Sequence, residues 1–446
     1  MKKDDVEFDE FCDPDNPRRV QYPDVAEAAR RIAGVLRITP CARSFMSERL
    51  EMDLYLKQEF LHCTGSFKER GVCNTLLLLS DEQKQNGVIT ASTGNHGCAL
   101  SYHATLMKIP CIIVMPENAP ITKVTRCQKF GGKLIMKGDN LAASKHYALS
   151  LSKEKRMMYI NGFDHPNVIE GQGTIGIEIL EQVPNVDAVI VPVGGGSLIA
   201  GIAVAIKHLK PDTEIYGVET DKTASMTESL KKNERVLVKM GNCLADGLGV
   251  GLVGVNTFHT LKGIVDKMVT VSEDWVARGI LHLLEADKFI VEGAGAVPVA
   301  VLLAGLLPNL KGKKVVIIGS GGNIDLTTLA RSLERGQAAE GRLIKFKVVV
   351  NDRPGAVAEL AHLFVNLNVT MREFIPEKVW MKGNVCTTEM KICVETKGWD
   401  HTKEFVEAVK KHYKNCSFPD MTKSPDKAAG THRGPCLAPH PVCMQK

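Results

Sequence analysis

The sequence predicts an α/β protein built on doubly wound parallel sheets, followed by a small α+β domain. Short apolar, β-rich runs (GVITAS, PCIIVMP, GKLIMKG, DAVIVPVGGG, EIYGVE, KKVVIIGSGG) alternate with stretches of helical spacing over most of the chain. Those runs are apolar throughout, as strands buried on both faces are, and helical segments between parallel strands supply the cover. A third observation marks the end of this pattern: RGQAAEG at 335–341 is polar and contains glycines, and the chain beyond it reads βαββα.

In chain order, residues 1–22 are charged and proline-bearing and are expected to form a flexible arm. At 25–36, Val25, Ala28, Ala29, Ile32 and Leu36 share one helical face. The α/β region at 23–334, expected as two α/β subdomains, then places helices after its strands: one from about Asn95, one through Val124, one through Leu151. Residues 335–343 read as a linker. Within 344–415, IKFKVVVND, VTMREFIPE and NVCTTEMKICVET are strands, while RPGAVAELAHLFVNLN and HTKEFVEAVKKHY are helical. The tail at 416–446 carries SFPD, KSPDK, HRGP and LAPHP, too polar and too rich in proline to fold alone, and is expected to be disordered.

With 446 residues, 44% hydrophobic and 24% charged, the chain can bury a large core without staples. Its formal charge of +5 comes from intermingled acids and bases, so nothing marks a nucleic-acid surface. No stretch reaches the ~20 uninterrupted apolar residues of a spanning helix, and the acidic start MKKDDVEFDEFCDPD lacks the apolar run of a signal peptide. Thirteen cysteines lie scattered, several inside apolar runs, as expected of a reduced, cytoplasmic protein with no membrane partner.

In such sheets ligands collect at the carboxyl ends of strands. Thr64-Gly65-Ser66-Phe67-Lys68-Glu69-Arg70-Gly71 sets one lysine at a helix start, where the dipole lowers an amine pKa; alone, it reads more simply as a solvated surface lysine. Val193-Gly194-Gly195-Gly196-Ser197-Leu198 ends a strand and opens a helix, so its N–H groups converge as a phosphate cradle, or form only a tight turn. Ser92-Thr93-Gly94-Asn95-His96-Gly97 offers hydroxyls and an amide for a carboxylate, although an N-cap explains Ser92 or Thr93 equally well and His96 is most simply a packed side chain. Ser320-Gly321-Gly322-Asn323 repeats the arrangement with one hydroxyl. Four such loops at the strand ends of one sheet, with one lysine among them, point to a single charged ligand.

These motifs closely resemble the fold type II pyridoxal 5′-phosphate (PLP) enzymes of the threonine dehydratase and serine racemase branch, the family of tryptophan synthase β. GSFKERG, STGNHG, VPVGGGSLIAG, ADG and GSGGN occur in the family's order between about Tyr22 and Ser332. The stretch from Ile344 to Tyr413 is similar to an ACT domain, including the Asp352-Arg353-Pro354-Gly355 turn. The resemblance implies covalent attachment of the cofactor to Lys68, packing of Phe67 on its ring, a hydrogen bond from Asn95 to its hydroxyl, and Gly194 to Leu198 around its phosphate. It implies Ser320 at the pyridine nitrogen, where a hydroxyl does not hold a proton as a carboxylate would, which favours β-elimination. Ser92, Thr93, Asn95 and His96 would fix the substrate carboxylate. The implied activity is deamination of threonine or serine by a regulated homodimer or homotetramer, with a small amino acid as effector.

The chain departs from the family in two places. Ser197 stands where the glycine loops usually have a fourth glycine. Serine racemases build a cation site on the glutamate matched by Glu219, with an acidic residue six positions on; here that residue is Ser225, so no metal is expected unless Asp221 substitutes. A serine or aspartate racemase is the alternative enzyme, since racemisation needs an acid on the opposite face and Thr93 retains a hydroxyl there. A catalytically silent amino-acid sensor is the alternative from another class, opposed by the intact Lys68.

Overall fold

The computed structural model describes residues 8–380 and 384–419. It divides into two compact units, one ending at Leu329 and one beginning at Ala330. The first unit contains two sheets. Strands β1 (Cys41–Arg43) and β2 (Asp53–Lys57) precede β3 (Val88–Ala91), β4 (Cys111–Met115), β5 (Lys133–Met136) and β6 (Met158–Tyr159). Then come β7 (Ala188–Pro192), β8 (Glu214–Thr220), β9 (Lys267–Val271) and β10 (Lys314–Ile318). The larger sheet has the order β1-β2-β10-β7-β8-β9 and the smaller β5-β4-β3-β6. Every pairing is parallel except that of the edge strand β1 with β2.

The apolar runs are buried as their composition requires. All five residues of β7 are buried, and Val189, Ile190 and Val191 have no exposure at all. Each such side chain contributes about 1.5–3 kcal/mol of apolar transfer free energy. Helices Pro166–Gln182 and Ser197–Leu209 pack on this sheet through Ile169, Ile175, Ile199 and Ile202.

Polar groups inside this unit fix the segment that carries Lys68. Helix Lys68–Leu77 holds the fully buried Arg70, whose guanidinium reaches Glu59 at 2.7 Å and Glu178 at 2.5 Å. Buried Lys57 meets the other oxygen of Glu178 at 2.5 Å. Burial would raise the Glu59 carboxyl, but the Arg70 guanidinium and the hydrogen bond with His62 hold it well below the usual carboxylate range.

Two expectations for this region are corrected. The strand-end loops belong to two sheets, because the loop at 92–97 follows β3 of the smaller sheet whereas those at 194–197 and 320–323 follow β7 and β10 of the larger. Residues 8–20 are also tied down. Asn256 accepts the Arg18 N–H at 2.7 Å and donates to the Phe11 carbonyl at 2.6 Å, and Thr260 accepts the Val20 N–H at 3.2 Å. Residues 1–7 of the expected arm lie outside the described residues.

In the second unit, β11 (Leu343–Asn351), β12 (Thr370–Glu377), β13 (Thr387–Glu395) and β14 (Cys416–Ser417) form an antiparallel sheet of order β12-β13-β11-β14. Burial alternates along β11, with Ile344, Phe346, Val348 and Val350 inward, and helices Ala356–Asn366 and Trp399–His412 contribute Phe364 and Phe405 to the same core. Of the stretch 335–343 expected as a linker, residues 335–339 instead continue helix Leu326–Ala339, whose alanines and arginines are good helix formers, and the backbone turns at Gly341 with φ +65°. The tail is ordered further than expected: Cys416 and Ser417 pair with β11, and Phe418 stacks on Phe346 at 4.9 Å. Positions 420–446 lie outside the described residues. Among the described residues no helix is long and apolar enough to cross a membrane.

Candidate active site

A cavity of about 730 Å³ in the first unit is lined by the strand-end loops of both sheets. Phe67, Lys68, Ser92, Thr93, Asn95, His96, Gly194, Gly195, Gly196, Ser197, Leu198 and Ser320 all reach it, so the residues singled out from sequence meet in one place.

Lys68 is the first residue of helix Lys68–Leu77, and the segment before it is stitched to the end of β10. Phe67 N–H donates to the Ser320 carbonyl at 3.0 Å, and Gly322 N–H donates to the Gly65 carbonyl at 3.0 Å. The Lys68 ammonium is buried, 2.5 Å from the Gly162 carbonyl and 5.0 Å from the centre of the Phe67 ring. Burial pushes its pKa down to about 8, with the Glu292 carboxylate opposing part of that shift.

The triple glycine follows β7. A Cβ on Gly195 would overlap the Phe163 ring, and one on Gly194 would lie 3.0 Å from Leu248 Cα. Gly196 adopts φ +105°, a conformation natural to glycine, and opens helix Ser197–Leu209. The first N–H groups of that helix have no intrahelical acceptor and no side-chain cap takes them, so they remain for an anion. Thr257 Oγ1 braces the bend by donating to the Gly195 carbonyl at 2.9 Å.

In the loop after β3, the Ser92 hydroxyl accepts N–H bonds from Gly94 at 3.3 Å and Gly97 at 3.1 Å, so it shapes its own turn. His96 is packed beneath Gly162: a Cβ there would lie 2.6 Å from the imidazole. Its Nε2 faces the Ile160 carbonyl at 3.2 Å, an acceptor only, which assigns the proton to Nε2 and leaves the buried Nδ1 without a partner. Burial, with the Lys68 charge nearby, drives the imidazole pKa down to about 3, so His96 is neutral.

Sequence reasoning missed Glu292. It lies just before helix Gly293–Leu303 without capping it, and the EGAGA sequence reads as an ordinary helix start. Asn95 Nδ2 donates to Glu292 Oε1 at 2.7 Å, and Asn95 Oδ1 accepts from Asn323 Nδ2 at 2.7 Å. Burial, reinforced by Asp246, raises the Glu292 carboxyl to about 7. Glu219, weighed as a cation ligand, is spent elsewhere. Its oxygens accept the Met226 and Thr227 N–H groups at 2.8 Å and the Thr227 hydroxyl at 2.6 Å, capping helix Ser225–Lys232. Among the described residues no group of three or more His, Cys, Asp or Glu is gathered for a metal ion.

A buried amine with a lowered pKa, a set of free helix-start amides and the side-chain amide of Asn95 fit an aromatic aldehyde phosphate. Residues 32–321 match the family model described as pyridoxal-phosphate dependent enzyme. The chain belongs to that family. It is 39% identical over 386 residues to an L-threonine ammonia-lyase of Thermotoga maritima, covering 86% of this chain and 96% of that one. The first unit's fold is similar to the processed form of threonine deaminase isoform 2 from Solanum lycopersicum, with TM-score 0.67, 35% identity and coverage of 72% of this chain and 95% of the other. It is also similar to maize serine racemase, with TM-score 0.68, 32% identity and coverage of 71% and 97%. PLP is therefore the cofactor of the family whose motifs line this cavity.

Proposed function

We propose that this PLP enzyme is a lyase that deaminates L-threonine, L-serine or both to 2-oxobutanoate or pyruvate and ammonia. The observation that carries this reading is the Lys68 amine, kept near pKa 8 in the cavity that the triple-glycine bend lines, in a chain that matches an ammonia-lyase over 86% of its own length.

Lys68 would hold the cofactor, with Phe67 against its ring, Asn95 at its hydroxyl, the amides from Gly194 to Leu198 and the Ser197 hydroxyl at its phosphate, and Ser320 at its nitrogen. Bound there, PLP supplies an electron sink that acidifies the substrate Cα–H. The Lys68 amine would take the Cα proton, a role that its lowered pKa in the protein suits it for. The amides of Thr93, Asn95 and His96, with the hydroxyls of Ser92 and Thr93, orient the substrate carboxylate. The β-hydroxyl leaves as water, and a later addition of water to the C–N bond releases ammonia, so the overall change is one amino acid to one keto acid and one ammonia.

A racemase is the second reading, favoured by the similarity to maize serine racemase and by Thr93 on the cavity wall. Keto-acid formation across L-serine, L-threonine and 3-hydroxyaspartate, with chiral analysis of recovered substrate, separates the two: a lyase leaves no D-enantiomer. We further propose a cytoplasmic homo-oligomer in which the ACT-like unit binds a small amino acid and changes activity. The free cysteines support the compartment, and the antiparallel sheet with two helices supports the ACT reading. Unchanged response to every amino acid after removal of residues 341–446 would reject the regulatory part.

A further inference from the structure

The segment at 8–14 is a wall of the cavity. Phe8, Asp9, Cys12 and Pro14 line the same space as Lys68 and the loop at 92–96. The segment is hooked in place by Phe11, whose ring lies 4.3 Å from the His165 imidazole and 5.1 Å below the Arg18 guanidinium, and whose carbonyl accepts from Asn256. Asn256 also donates to the Asp164 carbonyl at 2.8 Å, while the Asp164 carboxylate accepts the Val255 and Thr257 N–H groups at 2.8 and 3.0 Å. Thr257 is the residue that braces Gly195, so one network holds both the arm and the triple-glycine bend.

Asp9 is the unusual member. Its Oδ1 accepts the Phe11 N–H at 3.1 Å, but its Oδ2 is buried and has no hydrogen-bond partner among the described residues. A buried carboxylate oxygen without a donor costs free energy that a ligand donor recovers. Cys12 stands between Asp9 and Asp164; burial and both carboxylates push its thiol well above the ordinary range, so it keeps its proton, and its S–H, a weak donor shared between the two carboxylates, compensates Asp9 only in part.

We infer that residues 8–14 form a fixed wall of the substrate compartment and that Asp9 is a specificity-determining residue, its unpartnered Oδ2 accepting a hydrogen bond from the hydroxyl of the substrate amino acid. This rests on the lyase reading for the identity of the substrate, not for the wall. The geometry selects hydroxy-amino acids over their deoxy counterparts: serine over alanine, threonine over 2-aminobutyrate.

The test uses the full-length holoenzyme. Keto-acid formation by the wild type decides the lyase reading independently. Binding is then titrated by the absorbance change of the bound cofactor with L-alanine and L-2-aminobutyrate, and KM is measured for L-serine and L-threonine. In Asp9→Ala, KM for the hydroxylated substrates rises about tenfold, the equivalent of one charge-assisted hydrogen bond, and more than kcat falls, while affinity for the deoxy ligands changes less than twofold. In Phe11→Ala, which unhooks the segment while keeping the Asp9 carboxylate in the chain, all four ligands weaken and a thiol reagent modifies Cys12 faster. Unchanged KM in Asp9→Ala, or equal weakening of alanine and serine, overturns the role of Asp9. Unchanged ligand binding and Cys12 reactivity in Phe11→Ala overturns the wall. If the wild type forms no keto acid, the deoxy titration and Cys12 labelling still decide the wall.

Discussion

Asn95 donates to Glu292 at 2.7 Å while accepting from Asn323 at 2.7 Å, so the amide assigned to the cofactor hydroxyl is oriented before any ligand arrives. Asn323 also donates to the Thr64 carbonyl at 2.7 Å, four residues before Lys68. The chain from Glu292 to Thr64 links the two sheets' loops to the lysine segment.

Burial, opposed by the Glu292 carboxylate at the head of this chain, sets the titration of the amine. Attachment of PLP to apoprotein requires neutral Lys68, so its rate should rise with pH and reach half its maximum near pH 8, well below the value above 10 for an ordinary lysine. Glu292→Gln removes the anion that opposes this shift, and the midpoint should move lower. Stopped-flow absorbance during reconstitution is the measurement, and a midpoint that moves upward would refute the assignment.

Lys68→Ala should abolish covalent retention of the cofactor and lower keto-acid formation by about a thousandfold or more, since both attachment and proton abstraction are assigned to one amine. Absorbance after gel filtration and a coupled keto-acid assay check the two parts separately.

Gly195→Ala places a methyl into the Phe163 ring. The expected cost is about 1–3 kcal/mol of overpacking, read as a lower unfolding midpoint in denaturant, together with weakened PLP retention. Unchanged stability and retention would mean that the bend moves aside freely.

Arg70→Met should destabilise by about 3–5 kcal/mol, because it leaves buried Glu59 without its main counter-ion. The pH dependence should also change sign in its contribution from this group. In the wild type Glu59 has a depressed pKa, so its stabilisation is present above the usual carboxylate range and is lost as pH falls through the folded value. In the variant, burial dominates and raises that pKa, so the contribution is lost as pH rises. Urea unfolding across about pH 2–7 checks both.

The alternation of apolar strands and helices was legible because strands buried on both faces need unbroken apolar runs, as β7 shows. The Gly-rich loops were legible because few residues other than glycine permit the Phe163 contact at Gly195 or the φ of Gly196. The division of the loops between two sheets was not, since local sequence does not encode which strands pair at long range. Glu292 escaped because its burial comes from Asp246, Asn95 and Gly321, each far away in sequence. Residues 8–20 read as a loose arm because their anchors, Asn256, Thr260 and His165, lie more than a hundred positions away.

His96 has a final consequence. Its imidazole stays uncharged throughout the physiological range, because the packed space under Gly162 admits a ring but not a hydrated cation. An anion gripped by this loop is then held by oriented peptide dipoles, not by a mobile counter-charge. Added salt should therefore loosen that grip very little, and endosome-like acidity would not tighten it.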